Sequence, residues 1–322
     1  MADAIARLSK SSGKPPILLS LCQWGRVQPW LWARKLGQSW RTTGDICKET
    51  LSPLLSGFSK LLNPLGSSWD SLTDIMNRNS FIASATDFYG HNDLDIVSLF
   101  FRTASSYIYT SIFRSLKCQL TVLSGLLINS TLNISRGNGA LTFDENKAHF
   151  TLWALMKSPL LILSRVTEET LSILKNKEII AINQDPAVGT SITPFRWGVN
   201  PDWTYNRTHP AQYWSGESQN GTVFMLLNTL DHPADMFFRL TESPWIRAGR
   251  QYSVRDLWTH TDNGTAVRNF TAKAVPAHGV VALLLKDAGD EPAGTMPPCA
   301  NPEWCMAENG TLIGHYRRRR LH

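Results

Sequence analysis

An α/β half followed by an all-β half is the fold class this sequence predicts, and three observations predict it. Residues 1–190 alternate short apolar strands with helical stretches, the pattern of a parallel sheet covered by helices. From about Thr190 the pattern changes to short alternating runs parted by Gly, Asn, Asp and Pro, which is the signature of an antiparallel β-sandwich. A chain of 322 residues with 43% apolar content and 12 tryptophans has material for two cores.

In order along the chain, Met1 to Leu8 reads as the end of a helix, and Ser9 to Pro16 as a loop feeding the apolar strand Ile17 to Cys22. Trp40 to Ile46 is a second short strand, Phe58 to Met76 a helical region and Phe88 to Ile96 a third strand. Thr142 to Met156 follows as a helix, with Thr142 and Glu145 spaced as a capping box. Ser158 to Leu163 is a fourth strand, and Thr167 to Asn176 a helix. Four βα units are half of a (β/α)8 TIM barrel, and such a half leaves two open sheet edges. The sandwich strands are expected at Gln212–Trp214, Gly221–Asn228, Ala234–Leu240, Tyr252–Asp256, Ala266–Ala272 and Gly279–Leu285. The organisation is thus a partial barrel over 1–190, a sandwich over 191–287 and a flexible extension over 288–322.

Net charge is +6, but Arg317 to Arg320 supply four of those charges, so no basic patch argues for a nucleic-acid partner. The five cysteines, Cys22, Cys47, Cys118, Cys299 and Cys305, form no metal-binding spacing. Cys22 lies in an apolar strand and is read as a buried thiol, whereas Cys299 and Cys305 flank a short loop that a disulfide could close. Seven Asn-x-Ser/Thr sequons, at Asn129, Asn133, Asn206, Asn220, Asn263, Asn269 and Asn309, fit a secreted glycoprotein. The first residues lack the basic head and apolar core of a signal peptide, so the chain is expected to be either intracellular or missing its beginning.

The segment richest in chemistry is Ser39-Trp-Arg-Thr-Thr-Gly-Asp45-Ile46, which follows Leu19-Ser-Leu-Cys-Gln-Trp-Gly25. It sets a guanidinium and a carboxylate four residues apart at a strand end, where barrel catalysts lie. From the residues alone, Arg41 and Asp45 are as readily an ordinary ion pair as a sugar-binding arginine with a proton-donating acid. Trp24 is either core or a stacking face for a sugar.

Those two segments, with Gly90-His-Asn-Asp-Leu-Asp95, Gly139-Ala-Leu-Thr-Phe-Asp-Glu-Asn146 and Ala181-Ile-Asn-Gln-Asp-Pro186, resemble the fungal α-galactosidases of glycoside hydrolase family 27, the melibiases. The resemblance covers about residues 1–96 and 136–287. It implies that the four βα units are strands five to eight of the barrel and that the sandwich is the family's C-terminal β domain. It implies release of terminal α-galactose with retention, using two carboxyl groups about 5 Å apart. Asp45 then matches the acid/base, protonated through burial beside Trp40, while Arg41, Gln23 and Trp24 match sugar-contacting positions. Gln23 departs from the family's usual Glu, which weakens one hydrogen bond by about 1 kcal/mol. It is also larger than the small residue of the related α-N-acetylgalactosaminidases, so galactose remains the expected sugar. Asn92, Asp93 and Asp95 are expected to shape the barrel end, and His91, His149 and Asp144 are given no chemistry.

The family's nucleophile, an aspartate in a Tyr-Asp-Asn-Cys-like motif on strand four, has no counterpart in this sequence, so little or no turnover is expected of the chain alone. A non-catalytic carbohydrate-binding remnant and a product without a stable fold are the alternatives. No metal or organic cofactor is implied; the partners are α-galactoside oligosaccharides or glycoconjugates, and the complete protein is expected to be secreted. Residues 97–135 read as an insertion foreign to the fold, attributed to an unspliced intron translated in frame. A lid over the site is the second reading; a membrane span is opposed by Arg102, Arg114 and Lys117.

Overall fold

The computed structural model describes residues 1–46, 68–97, 141–162 and 167–295. Most of the 97–135 insertion, the start of the Phe58–Met76 helical region, Leu163, Cys47, Cys118, Cys299, Cys305, the sequons at Asn129, Asn133 and Asn309, and the arginine tail lie outside those residues.

The first half is built on three parallel strands, β1 (Ser20–Leu21), β2 (Ser39–Arg41) and β3 (His91–Asp93), in that spatial order. Leu21 pairs with Trp40, and Trp40 in turn with Asn92. A fourth strand position is marked by a parallel bridge between Val97 and Ile162. Val97 is fully buried and donates its N–H to the Leu161 carbonyl at 2.9 Å, so it belongs to the barrel and not to the insertion.

The strand expected from Ile17 to Cys22 is laddered over only two residues, Ile17 and Leu18 are 60% and 80% exposed, and Cys22 is exposed rather than buried. The cause is the sheet edge. Among the described residues β1 has a neighbour on one side only, so nothing covers the apolar run that the sequence spaces as a buried strand. Helix α1 (Ala2–Ser12) buries none of its residues and runs four residues beyond the expected Leu8, ending where Gly13 adopts the left-handed conformation.

Helix α2 (Trp69–Ser80) starts at Ser68, whose hydroxyl accepts from the Ser71 N–H. Helix α3 (Phe143–Leu155) carries the expected capping box: Glu145 N–H donates to Thr142 Oγ1 at 3.2 Å and Thr142 N–H to Glu145 Oε2 at 2.6 Å. The helix expected over Thr167–Asn176 is α4 (Glu168–Leu174), capped by Thr167. A further helix, α5 (Lys177–Asn183), was not anticipated; Asn176 caps it by accepting from the N–H groups of Glu178 and Ile179.

The second half holds a six-stranded sheet and a two-stranded one, all antiparallel. The larger comprises β4 (Thr193–Arg196), β5 (Tyr213–Ser218), β6 (Gly221–Leu227), β8 (Arg250–Asp256), β9 (Thr261–Val267) and β11 (Val280–Asp290); β7 (Ala234–Arg239) pairs with β10 (Asn269–Val275). The expected strand Ala266–Ala272 is instead the end of β9 and most of β10, broken at Arg268, whose φ of 64° turns the chain. β11 runs past the expected start of the extension, because Arg250 pairs with Asp287 and Asp290 and Arg268 with Glu291.

Strand β6 is buried on both faces. Val223, Met225 and Leu227 join the core shared with the barrel helices, while Phe224 and Leu226 join the core between the two sheets. Each such side chain contributes about 1.5–3 kcal/mol of burial. Helix α3 lies between the two halves and is buried on nearly every face, Ala148 to Met156 being fully or almost fully covered. Polar clasps complete the contact. Trp258 Nε1 donates to Thr151 Oγ1 at 2.9 Å, Asn176 Nδ2 donates to the Leu257 carbonyl at 2.9 Å, and His278 pairs with Glu145 at 2.6 Å while stacking on Trp69 at 4.2 Å.

Candidate active site

The site is assembled at the C-terminal ends of β1, β2 and β3. Trp40 anchors it from below: fully buried, it donates Nε1–H to Asn92 Oδ1 at 2.8 Å and so locks β2 to β3. Gly90 permits this, since a Cβ there would lie 2.5 Å from the Trp40 ring. Arg41, the last residue of β2, is consequently held with little freedom, its side chain 12% exposed.

Arg41 spans two carboxylates. Its Nη2 lies 3.0 Å from Asp45 Oδ1 and its Nη1 lies 3.0 Å from Asp95 Oδ1. Asp95 also accepts from the Ile46 N–H at 2.7 Å and the Ile96 N–H at 2.8 Å, and its φ of 103° is unusual for a residue with a side chain. Asp95 therefore holds the arginine and, through Ile46, the end of the loop that carries Asp45. Burial pushes the Asp95 carboxyl up, with Arg41 and the two amides opposing. Asp93, also buried and raised in pKa by that burial, accepts the Asp95 N–H at 2.9 Å.

Asp45 differs from both. Its side chain is 31% exposed, and Trp40 is turned into the core toward Asn92, so the aromatic burial expected around the acid is not supplied by that ring. Asp93 and Asp95 are 5% and 6% exposed and committed to backbone and guanidinium donors; Asp45 alone of the three presents a partly open carboxylate. The strand-end pattern Asp93-Leu-Asp95 was available in the sequence, but assigned to shaping the barrel end; what was not visible is that Asp95 reaches across to β2.

Gln23 and Trp24 follow β1 onto the same sheet end. Gly25 donates its N–H to the Arg41 carbonyl at 3.2 Å, bringing the two loops together. Its φ of 74° and the 2.2 Å that would separate a Cβ from the Thr42 carbonyl oxygen make glycine necessary there. Gln23 is half-buried, whereas Trp24 is 43% exposed, with φ 54° and Arg26 over its ring at 5.3 Å. Trp24 is thus not core. Cys22, beside them, is exposed, yet the atoms packed around its thiol partly desolvate it and raise its pKa, Arg41 opposing. Among the described residues no group of His, Cys, Asp and Glu is arranged to hold a metal, and no helix is long and apolar enough to cross a membrane.

Residues 208–285 match the α-galactosidase C-terminal β-sandwich domain, and residues 127–185 match the family described as α-galactosidase A. The second match begins inside the segment 97–135 that reads as foreign to the fold. A probable α-galactosidase B of Aspergillus oryzae is 32% identical over 297 residues, covering 89% of this chain and 53% of that protein. A probable α-galactosidase B of Aspergillus fumigatus is 33% identical over 298 residues, covering 88% of this chain and 55% of that protein. The chain spans about half the length of the curated relatives it matches. Among solved structures, α-galactosidase I of Mortierella vinacea superposes with a TM-score of 0.61 at 25% identity over 90% of this chain and 63% of that one. The α-galactosidase of Saccharomyces cerevisiae gives 0.60 at 20% identity, over 89% and 67%, a likeness of fold.

Proposed function

We propose, from the premise that this chain is a partial member of the family 27 α-galactosidases, that it carries the acid/base side of a retaining glycosidase site whose complete form releases terminal α-galactose. The observation that supports this best is the Asp45–Arg41–Asp95 arrangement at the end of a parallel sheet, with one partly open carboxylate beside a fixed guanidinium. Asp45 protonates the leaving oxygen and then activates water; Arg41, Gln23 and the exposed face of Trp24 contact the sugar. Asp95 is not free to attack an anomeric carbon, since both its oxygens serve backbone amides or Arg41, and Asp93 is buried with Oδ1 accepting the Asp95 N–H. On this reading the nucleophile is a carboxylate other than these, and little or no turnover is expected of the chain by itself. The substrate class is α-galactosides of the raffinose kind, the sugar bound in a solved structure of the yeast enzyme. Secretion of the complete protein is part of the same reading, supported by the exposed sequons at Asn220, Asn263 and Asn269.

The test is hydrolysis of a chromogenic α-galactoside by the purified chain and by a version extended upstream to the length of its relatives. Activity only in the extended version, lost in its Asp45→Asn form, is the expected result. Concentration-dependent activity of the chain alone would overturn the assignment of the nucleophile. Galactose binding by the chain without turnover by the extended version would favour a binding role, for which exposed Trp24 is the structural ground.

A further inference from the structure

We propose that Asn206 carries an N-linked glycan whose first sugars pack on an aromatic shelf that its own loop has already built. The inference rests on the secreted reading above. The loop runs Val199-Asn-Pro-Asp-Trp-Thr-Tyr-Asn206-Arg-Thr208, so the sequon is preceded by tryptophan at the third position before it and tyrosine at the first. Trp203 is 66% exposed and Tyr205 47%, with Phe81 at 39% beside them. Such rings facing water offer a surface that an amphipathic group can cover, and sugars, with one apolar C–H face and a hydroxyl rim, are of that kind.

The shelf is rigid before anything binds. Trp203, held at φ 62°, packs on buried Trp197 at 4.9 Å and lies 6.4 Å from Phe81. Tyr205 donates its hydroxyl to Asp74 at 2.6 Å and lies under Arg78 at 5.8 Å. Asp202 accepts the Trp197 N–H at 2.7 Å, and Asn77 donates to the Asn206 carbonyl, fastening the loop to α2. The Asn206 side chain is oriented too: Oδ1 accepts from the N–H and the hydroxyl of Thr208, both at 3.1 Å, and Nδ2 donates to Asn200 Oδ1 at 2.9 Å. An amide nitrogen has two hydrogens. One serves Asn200, and the other has no partner among the described residues. In the transfer, that N–H bond and the C1–O bond of a lipid-pyrophosphate oligosaccharide break, the N–C1 bond forms, and the proton and lipid pyrophosphate leave. The remaining N–H keeps Asn200 and fixes the direction of the sugar. The other described sequons, at Asn220, Asn263 and Asn269, have no Trp, Tyr or Phe in the three preceding residues.

The experiment uses the upstream-complete protein secreted from a glycosylating fungal host. Intact-glycopeptide mass spectrometry should find Asn206 occupied, and Thr208→Ala, which blocks modification while keeping Asn206, should lower Tm by about 2 °C or more. That difference should vanish in a Trp203→Ala background. If Trp203→Ala does not fold, acrylamide quenching of tryptophan fluorescence replaces it, with stronger quenching expected in Thr208→Ala than in the parent. A bare Asn206 beside occupied Asn220, Asn263 or Asn269 overturns the shelf and leaves secretion standing. No glycan at any of the four overturns both. Occupancy with equal Tm loss in both backgrounds, or with unchanged quenching, overturns the shelf.

Discussion

Asp95 Oδ1 lies 3.0 Å from Arg41 Nη1, and this contact ties β3 to the residue that pairs with Asp45. Removing the charge from Asp95 leaves a nearly buried guanidinium supported on one side only, a change that costs about 3 kcal/mol for buried pairs. Asp95→Asn in the extended enzyme is expected to lower kcat by about a hundredfold as Arg41 and the Ile46 end of the loop shift. Steady-state kinetics beside a thermal melt check this; full activity in Asp95→Asn would show that Asp95 is only a structural group.

If Asp45 delivers a proton to the leaving oxygen, its importance depends on how much that oxygen needs one. Asp45→Asn should therefore lose about 10²–10⁴-fold on a sugar leaving group, but far less in the first chemical step with an activated nitrophenol. Steady-state turnover falls on both, since Asp45 also activates the water, so kcat/KM, which reports the first step, is compared between raffinose and a nitrophenyl galactoside. Equal losses on both would remove Asp45 from the acid role.

Gln23→Glu restores a charged acceptor at the half-buried position after β1. A charge-assisted bond strengthened by about 1 kcal/mol should tighten galactose binding about fivefold, with little change in N-acetylgalactosamine affinity. Inhibition constants for the two free sugars measure it, and an unaltered galactose constant would show that Gln23 does not touch the ligand.

His149 is fully buried against Trp153 at 4.1 Å, and burial pushes its pKa down from 6.5 to about 3, a backbone contact to Ile96 opposing weakly. Between those values the unfolded chain takes up a proton that the native state refuses, so stability rises with pH across this window and is lost as pH falls through it. The slope is up to about 1.4 kcal/mol per pH unit. His149→Phe, which keeps a ring there, should flatten the dependence between about pH 4.5 and 6.5 in denaturant titrations. An unchanged slope would assign the acid sensitivity to other groups.

The capping box at Thr142 and Glu145 was legible because a cap is a local device: four residues fix it wherever the helix packs. The unbroken apolar run of β6 was legible as a strand, but its meaning, one face to each core, depends on what covers it. Cys22 misled for the same reason reversed, since an apolar strand pattern states what a neighbour should cover, and among the described residues β1 has no neighbour there. Helix α5 was missed because Lys175-Asn176-Lys177 looks like a helix ending, whereas Asn176 begins the next one. The pairing of Arg41 with Asp45 was legible in their four-residue spacing, whereas their roles toward a sugar come from the resemblance. Asp95 was seen but placed in a shaping role, because a contact between two strands fifty residues apart leaves no trace in spacing.

Helix α3 is enclosed between the barrel strands and a sheet that lies wholly downstream of it in the chain. On the ribosome, residues 141–156 emerge long before β6 and β11 exist, so their apolar surface waits without a partner until those strands are made. The first half consequently cannot mature as it is made. Its completion is timed by β6 and β11, and a chain stopped before Val280 would present α3 to chaperones and proteases rather than to a sugar.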